Sequence, residues 1–337
     1  MSRPTLADVA ARAGVSAKTV SNVLLGRRHV AEATRARVLE AVTEVGYTVN
    51  AAGRGLASGR TGRVAVVVPM IYQPYFAEVA ERLILALAEH GLTTTLRIAH
   101  DDAAERDAVL GLTTPDVDGV ILCPHGLSPE VLGDGIVPRP VVQLGGGIMP
   151  SFDCVIMGET EGFRSMTEHL LATGRKRIAL IGTGPGGAPQ GSRFAGYLEA
   201  LTAHGIDLDE RLLITGSDWD RRASGYEAVV GLLRTGVEFD AVMCFNDAMA
   251  VGALRGLRSH GLRVPQDVAL TGFDDTAEVE FTSPPLSSVS PEQAQMVAAT
   301  VRMLIERIDG YAGEPRVVRT GAHLVPRESS APAESAG

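Results

Sequence analysis

Up to Gly46 the apolar positions recur at helical spacing in three short bursts. In "TLADVAARAG", Leu6, Val9, Ala10 and Ala13 form one stripe; Thr5 stands as an N-cap with Asp8 three residues on, and Gly14 ends the run. A second burst, "VSAKTVSNVLLG", has Ser16 as its cap, Val20, Val23 and Leu24 facing inward, and Gly26 as its stop. The gap around Gly14 is too tight for antiparallel packing and predicts the angled pair of a helix-turn-helix. In the third, "EATRARVLEAVTEVGY", Val38, Ala41, Val42 and Val45 share a face. A small all-α head follows from these three.

From Arg63 the texture changes to apolar runs alternating with amphipathic stretches. "RVAVVVP", "LTTTLRIA", "GVILCP", "PVVQLG" and "CVIMG" read as buried strands, and "EVAERLILALAEHG" as a crossover helix. The pattern restarts at "MTEHLLATGRKRIALIGT" and runs through "AVMCFND" to "DVALTGFDD". Two α/β lobes with parallel sheets are predicted. Ligands of such sheets bind beyond the carboxyl ends of the strands, and two facing lobes make a cleft. Tyr72, Tyr75, Phe76, Gly145, Arg193, Asp218, Trp219, Phe245, Asn246, Asp247, Phe273, Asp274 and Asp275 fall at those ends. Rings over an apolar face with amides and charged groups for paired hydroxyls suit a polyhydroxylated ligand. Asp247 and Asp275 also read as caps or structural acceptors.

Between head and body, "NAAGRGLASGR" has helical composition but holds Gly53 and Gly55, each costing a helix interior about 1 kcal/mol against alanine. A helix this short does not hold itself together in water. By itself it reads as a linker or as a helix that orders only against a partner.

Charge sharpens the division. The whole chain carries −9, yet the residues up to Gly62 hold nine basic and four acidic side chains, +5, leaving −14 for the rest. A basic head on an acidic body confines phosphate contact to the head. On the second helix, Ala17, Lys18, Ser21 and Asn22 point away from the small core, where they would meet base edges in a major groove. Lysine donates to guanine, asparagine pairs with adenine, and alanine touches a thymine methyl.

Cys123, Cys154 and Cys244 are odd in number and widely spaced, which fits buried reduced thiols. No metal or cofactor is expected. The amino terminus lacks an apolar signal core, and no run of about 18 apolar residues could span a bilayer; a cytoplasmic protein without membrane contact is expected. "RIALIGTGPGG" invites comparison with a dinucleotide fingerprint, but Pro185 and Pro189 interrupt it before a helix can start. There is no nucleophile elbow and no P-loop, so catalysis is not expected.

The stretch from "TLADVAARAGVSAKTVSNVLLG" to "NAAGRGLASGRTGRVAVVVP" resembles the start of a LacI/GalR-family transcriptional regulator. "GSRFAGY", "AVMCFNDAMAVGALRGLRSHGLRVPQDVALTGFDDT" and "PPLSSV" resemble the same family's effector domain, extending the likeness to about Arg327. The resemblance implies a helix-turn-helix head at 1–49, a hinge helix at 50–61, and a periplasmic-binding-protein-like effector and dimerisation domain at 62–328. Its lobes would be 62–160 with 291–320, and 161–290 with 321–328, followed by a disordered tail at 329–337. It implies DNA contacts from Thr5, Ser16, Ala17, Lys18, Thr19, Ser21 and Asn22, and in the hinge from Asn50, Arg54, Leu56 and Ala57, with Leu56 wedged into the minor groove. Effector contacts would come from Arg193, Trp219, Phe245, Asn246 and Asp274, joined by Tyr75 and Phe76 from the strand-end argument, although these two and Tyr72 also read as core or interface aromatics. Where many sugar-binding members carry an aspartate after "VVQL", this chain has Gly145, Gly146 and Gly147.

The function implied is a repressor that binds a palindromic operator in double-stranded DNA as a homodimer and is released by a small sugar. A purine-type corepressor and a solute receptor are the alternatives; the basic head counts against the receptor. The carboxyl end, "PRESSAPAESAG", has no leucine for a tetramerising heptad.

Overall fold

The computed structural model describes residues 4–24, 30–47, 60–184, 191–216 and 221–332. The chain divides into two units, Met1–Gly62 and Arg63–Gly337. The first contains α1 (Leu6–Ala13), α2 (Ala17–Leu24) and α3 (Glu32–Val45). A reciprocal cap starts α1: the Thr5 amide and hydroxyl donate to Asp8 Oδ2 at 2.8 and 2.7 Å, and the Asp8 amide donates back to Thr5 Oγ1 at 3.4 Å. Ser16 Oγ accepts from the Thr19 amide at 3.1 Å and caps α2 in the same way. Val9, Ala10, Ala13, Val20, Val23, Val38 and Ala41 make the core.

The second unit holds two parallel sheets. The larger runs β1 (Arg63–Val68), β2 (Thr93–Ile98), β3 (Gly119–Leu122), β4 (Val141–Leu144), β5 (Asp153–Ile156) and, from near the end of the chain, β11 (Val317–Arg319), in the order β11-β5-β4-β3-β1-β2. Helices α4 (Pro74–Glu89), α5 (Asp102–Val109) and α6 (Pro129–Leu132) connect its strands. After β5 the chain passes through α7 (Glu159–Ala172) into the smaller sheet: β6 (Ile178–Thr183), β7 (Leu213–Thr215), β8 (Ala241–Cys244) and β9 (Ala269–Thr271), in the order β7-β6-β8-β9. Its crossovers are α8 (Gly191–Ala203), α9 (Arg222–Thr235) and α10 (Asp247–Ser259). The chain returns from β10 (Ser288–Ser290) to α11 (Gln293–Ile308) and β11, then crosses a third time to β12 (His323–Val325), which pairs antiparallel with β10.

Three continuous apolar clusters fill this unit, one of them running from Val64 and Ile121 to Leu180, Met243 and Phe273 and so joining the two sheets. At the amino end of β5, Asp153 is buried and accepts from Arg307 Nε and Nη2 at 3.0 and 2.8 Å and from the Arg316 amide and Nη2 at 2.8 and 2.7 Å. One carboxylate thereby ties β5 to the end of α11 and the start of β11.

The carboxyl terminus corrects one expectation. Residues 329 and 330 are not tail: Ser329 and Ser330 are buried, Ser329 Oγ donates to the Leu270 carbonyl at 2.6 Å, and Ser330 Oγ lies 2.8 Å from His169 Nε2. Their hydroxyls satisfy backbone and side-chain groups at the edge of the smaller sheet, which fixes this part of the chain.

Candidate functional site

In the head, burial of Val20 and Val23 leaves Ala17 and Lys18 exposed and Ser21 and Asn22 partly so. These four therefore share the solvent side of α2, while Ser16 and Thr19 are joined at 2.9 Å through their hydroxyls in its cap. Thr5 occupies the equivalent place on α1. An exposed ion pair, Arg12 with Glu44 at 2.6 Å, links α1 to α3. Asn50, Arg54, Leu56 and Ala57 lie outside the described residues.

In the second unit, loops at the carboxyl ends of strands from both sheets enclose a cavity of about 330 Å³. The larger sheet contributes Gln73, Tyr75 and Phe76 after β1, Pro124 and His125 after β3, Gly145 and Gly146 after β4, and Met157 and Glu159 after β5. From the smaller sheet come Gly182 near the end of β6, Gly184, Ser192 and Arg193 after it, Phe245 after β8 and Asp274 after β9. Each side of the cavity is thus assembled where a sheet's strands end, as parallel sheets dictate.

Arg193 is the centre of the polar wall. Its Nε and Nη2 each lie 2.9 Å from Glu159 Oε1, and Nη1 donates to the Phe245 carbonyl at 2.5 Å. Ser192 Oγ donates to Glu159 Oε2. The guanidinium lies 4.8 Å from the centre of the Phe273 ring, which stacks on Phe163 at 5.5 Å. Burial disfavours the arginine's charge, but Glu159 and then Asp274 outweigh it and raise its pKa. Burial, followed by the Asp274 carboxylate, pushes the Tyr75 phenol well above its ordinary range, so it enters the site as a neutral ring with a hydroxyl. Tyr75 and Phe76 meet edge to face at 5.2 Å.

Two glycines shape the wall. Gly182 has φ +121°, and a Cβ there would stand 2.5 Å from Phe245 Cγ; only glycine lets the ring lie against the end of β6. At Gly146, with φ +72°, a Cβ would come 2.6 Å from Pro124 Cγ. Below them Gln143 donates through its amide to the carbonyls of Gly145, at 2.7 Å, and Gly147. A glycine loop folded over a buried amide thus occupies the position where many sugar-binding members carry an aspartate. Glu105 supports the neighbouring loop: buried in α5, it accepts from the amides of His125, Gly126 and Leu127 at 2.5, 3.1 and 2.8 Å.

The structure brings together Tyr75, Phe76, Arg193, Phe245 and Asp274. Asn246 is not on the wall: it is 1% exposed, and its Oδ1 accepts from the Met249 amide at 2.9 Å as the N-cap of α10. Trp219 and Asp218 lie outside the described residues, and Tyr72 is exposed. Asp247 is structural: Ser288 Oγ donates to it at 2.7 Å and the Thr276 amide at 2.8 Å. Asp275 pairs with Arg327 at 2.7 Å. Sequence reasoning missed Glu159, Gln73, His125 and Ser192. For Glu159 the signal was available, since it stands three residues beyond β5 at a strand end.

Among the described residues no group of side chains could hold a metal ion, and no helix is long and apolar enough to cross a membrane. The three cysteines are free and buried.

A helix-turn-helix unit, joined in sequence to a unit whose two parallel sheets close on a polar and aromatic cavity, defines a ligand-responsive DNA-binding regulator. Residues 5–50 match the model of bacterial regulatory proteins of the lacI family, and residues 167–330 that of the periplasmic binding protein-like domain. The chain is 37% identical to the HTH-type transcriptional regulator CelR of Thermobifida fusca, over 97% of this chain and 98% of that one. It is 32% identical to the HTH-type transcriptional repressor PurR of Erwinia tasmaniensis, over 97% of each. Among solved structures it resembles a CelR–cellobiose complex (TM-score 0.71, 35% identity, 97% of this chain and 100% of that one). It also resembles the lac repressor dimer bound to operator and the anti-inducer ONPF (TM-score 0.84, 26% identity, 98% and 100%). The chain belongs to the lacI family of bacterial regulatory proteins. Regulators of this family are DNA-binding proteins and not enzymes.

Proposed function

We propose that the protein is a dimeric repressor whose paired heads read a palindromic operator and whose cavity takes a saccharide that releases it from DNA. The observation that carries the effector class is the cavity wall. Tyr75, Phe76 and Phe245 supply apolar faces, while Arg193, Glu159 and Asp274 supply charged groups suited to paired hydroxyls. The cellobiose bound to CelR and the operator bound to the lac repressor dimer support the same reading. With lobes at about 62–160 with 291–320 and about 161–290 with 321–328, a ligand in the cavity would touch both.

A ligand held by Tyr75 and Glu159 from one side and by Arg193 and Phe245 from the other stabilises one degree of lobe closure over another. It shifts DNA affinity only by as much as it discriminates between them. The hinge at 50–61, with Leu56 as its wedge, would carry that difference to the operator, and linkage requires DNA to alter effector affinity by the same factor.

The test is operator binding by fluorescence anisotropy while mono- and disaccharides, nucleosides and purines are added in turn. One sugar is expected to weaken operator binding by about 5- to 150-fold, the usual range of allosteric coupling. A purine that strengthens binding, with no sugar active, would replace this reading with a corepressor mechanism.

A further inference from the structure

We infer that Glu159 sets the charge class of the cavity's ligand, making it a site for an uncharged sugar that rejects anions; the inference rests on the cavity being the effector site. The argument begins at α8. A helix of 13 residues opens at the cavity with Ser192 and Arg193 in its first turn. Helix amides, a hydroxyl and a guanidinium together form the usual cradle for a phosphate or carboxylate.

Here the chain supplies the anion itself. Glu159 takes the Arg193 Nε and Nη2 at 2.9 Å and the Ser192 hydroxyl, and the Phe245 carbonyl takes the remaining guanidinium nitrogen at 2.5 Å. All three nitrogens of Arg193 therefore already donate to the protein, through three of the guanidinium's five N–H groups, and the Nε–Nη2 fork is closed to an incoming phosphate by Glu159. Asp274 stands on the same wall, so Arg193 faces two carboxylates; His125 and Tyr75 are the other titratable side chains there. Carboxylate and carbonyl oxygens welcome hydroxyl donors and repel phosphate oxygens. Two like charges about 5 Å apart at a partly screened site differ from a neutral pair by enough to change affinity tenfold to a hundredfold.

The experiment uses the full chain and inorganic phosphate, followed by calorimetry and thermal shift, with Glu159→Gln and the double variant Glu159→Gln/Arg193→Gln. Wild type is expected to show no saturable phosphate binding. Glu159→Gln should gain at least about tenfold in phosphate affinity, and the double variant should lose that gain. Phosphate binding by wild type equal to that of Glu159→Gln, or a folded Glu159→Gln without the gain, overturns the inference. A second measurement needs no variant: neutral hexoses are compared with their 6-phosphates on wild type, and any 6-phosphate that binds more tightly than its parent sugar overturns it. If no sugar binds in either form, the saccharide reading of the cavity falls, while the phosphate titration still decides the role of Glu159.

Discussion

Asp153→Asn should cost the second unit about 2 to 4 kcal/mol, in a way that reports the charge of this one side chain. Burial raises the carboxyl's pKa, but hydrogen bonds from Arg307 and then Arg316, with Arg307's charge, outweigh it and hold the group at about 2 against an ordinary 3.8. A depression of that size corresponds to about 2.5 kcal/mol of stabilisation at neutral pH. Removing one member of a buried ion pair costs about 3 to 5 kcal/mol when the partners stay unpaired. Asparagine keeps one acceptor oxygen but turns an NH2 toward an arginine, so the expected loss falls between these limits and the smaller cost of a neutral hydrogen bond. Urea unfolding of wild type and variant at several pH values is the assay. Because the folded pKa is depressed, the stabilisation is complete above the unfolded value near 3.8 and disappears as pH falls through about 2. The gap between the two proteins should therefore be flat from pH 5 to 8 on the scale of about 0.5 kcal/mol, and narrow only in acid. A gap below about 0.5 kcal/mol at pH 7, or one that changes between pH 6 and 8, would refute the assignment of stability to this cluster.

Other consequences can be checked separately. Lys18→Ala and Asn22→Ala should each weaken operator binding in gel-shift assays, Asn22→Ala by about 1 to 3 kcal/mol of base discrimination if it pairs with adenine; equal loss on random DNA would reduce it to a backbone contact. Gly182→Ala forces a methyl against Phe245 at an unfavourable φ, so effector affinity should drop at least about tenfold with roughly 1 to 3 kcal/mol of lost stability. Unchanged effector binding would mean that the ring is not a contact. Burial, aided by the Glu105 carboxylate, pushes the Cys123 thiol up to about 12, and burial also raises those of Cys154 and Cys244. All three thiols should resist a water-soluble disulfide reagent in the native protein and react in denaturant.

Legibility followed the range of the interactions. Thr5 with Asp8 and the spacing of Val20 and Val23 are encoded within a few residues, so the head could be read directly. The strand-end rule located Tyr75, Phe76, Gly145, Arg193, Phe245 and Asp274 because the carboxyl ends of parallel strands are visible as the last residues of apolar runs. It does not say which way a side chain turns. Asn246 stands at such an end yet caps α10, since the first turn of any helix needs an acceptor and asparagine is a good one. Glu159 with Arg193 and Asp153 with Arg307 and Arg316 are pairings between distant segments, and no local pattern announces them. Ser329 and Ser330 were hidden by composition, because a run of serine, alanine and proline has the same signature whether its hydroxyls face water or a sheet edge.

The three passages of the chain between the sheets bear on how such a regulator can be recombined. The head is joined to the rest through a single stretch of chain, so one breakpoint near Gly62 exchanges it whole. The body cannot be divided so simply: the larger sheet takes β11 from near the end of the chain, and β10, which precedes that strand, pairs with β12, which follows it. A single crossover event between β1 and β12 separates the strands of at least one sheet, whereas one at the head leaves every strand with its own neighbours. Operator specificity and effector specificity can therefore be reassorted as separate modules, but the two halves of the cavity are inherited together.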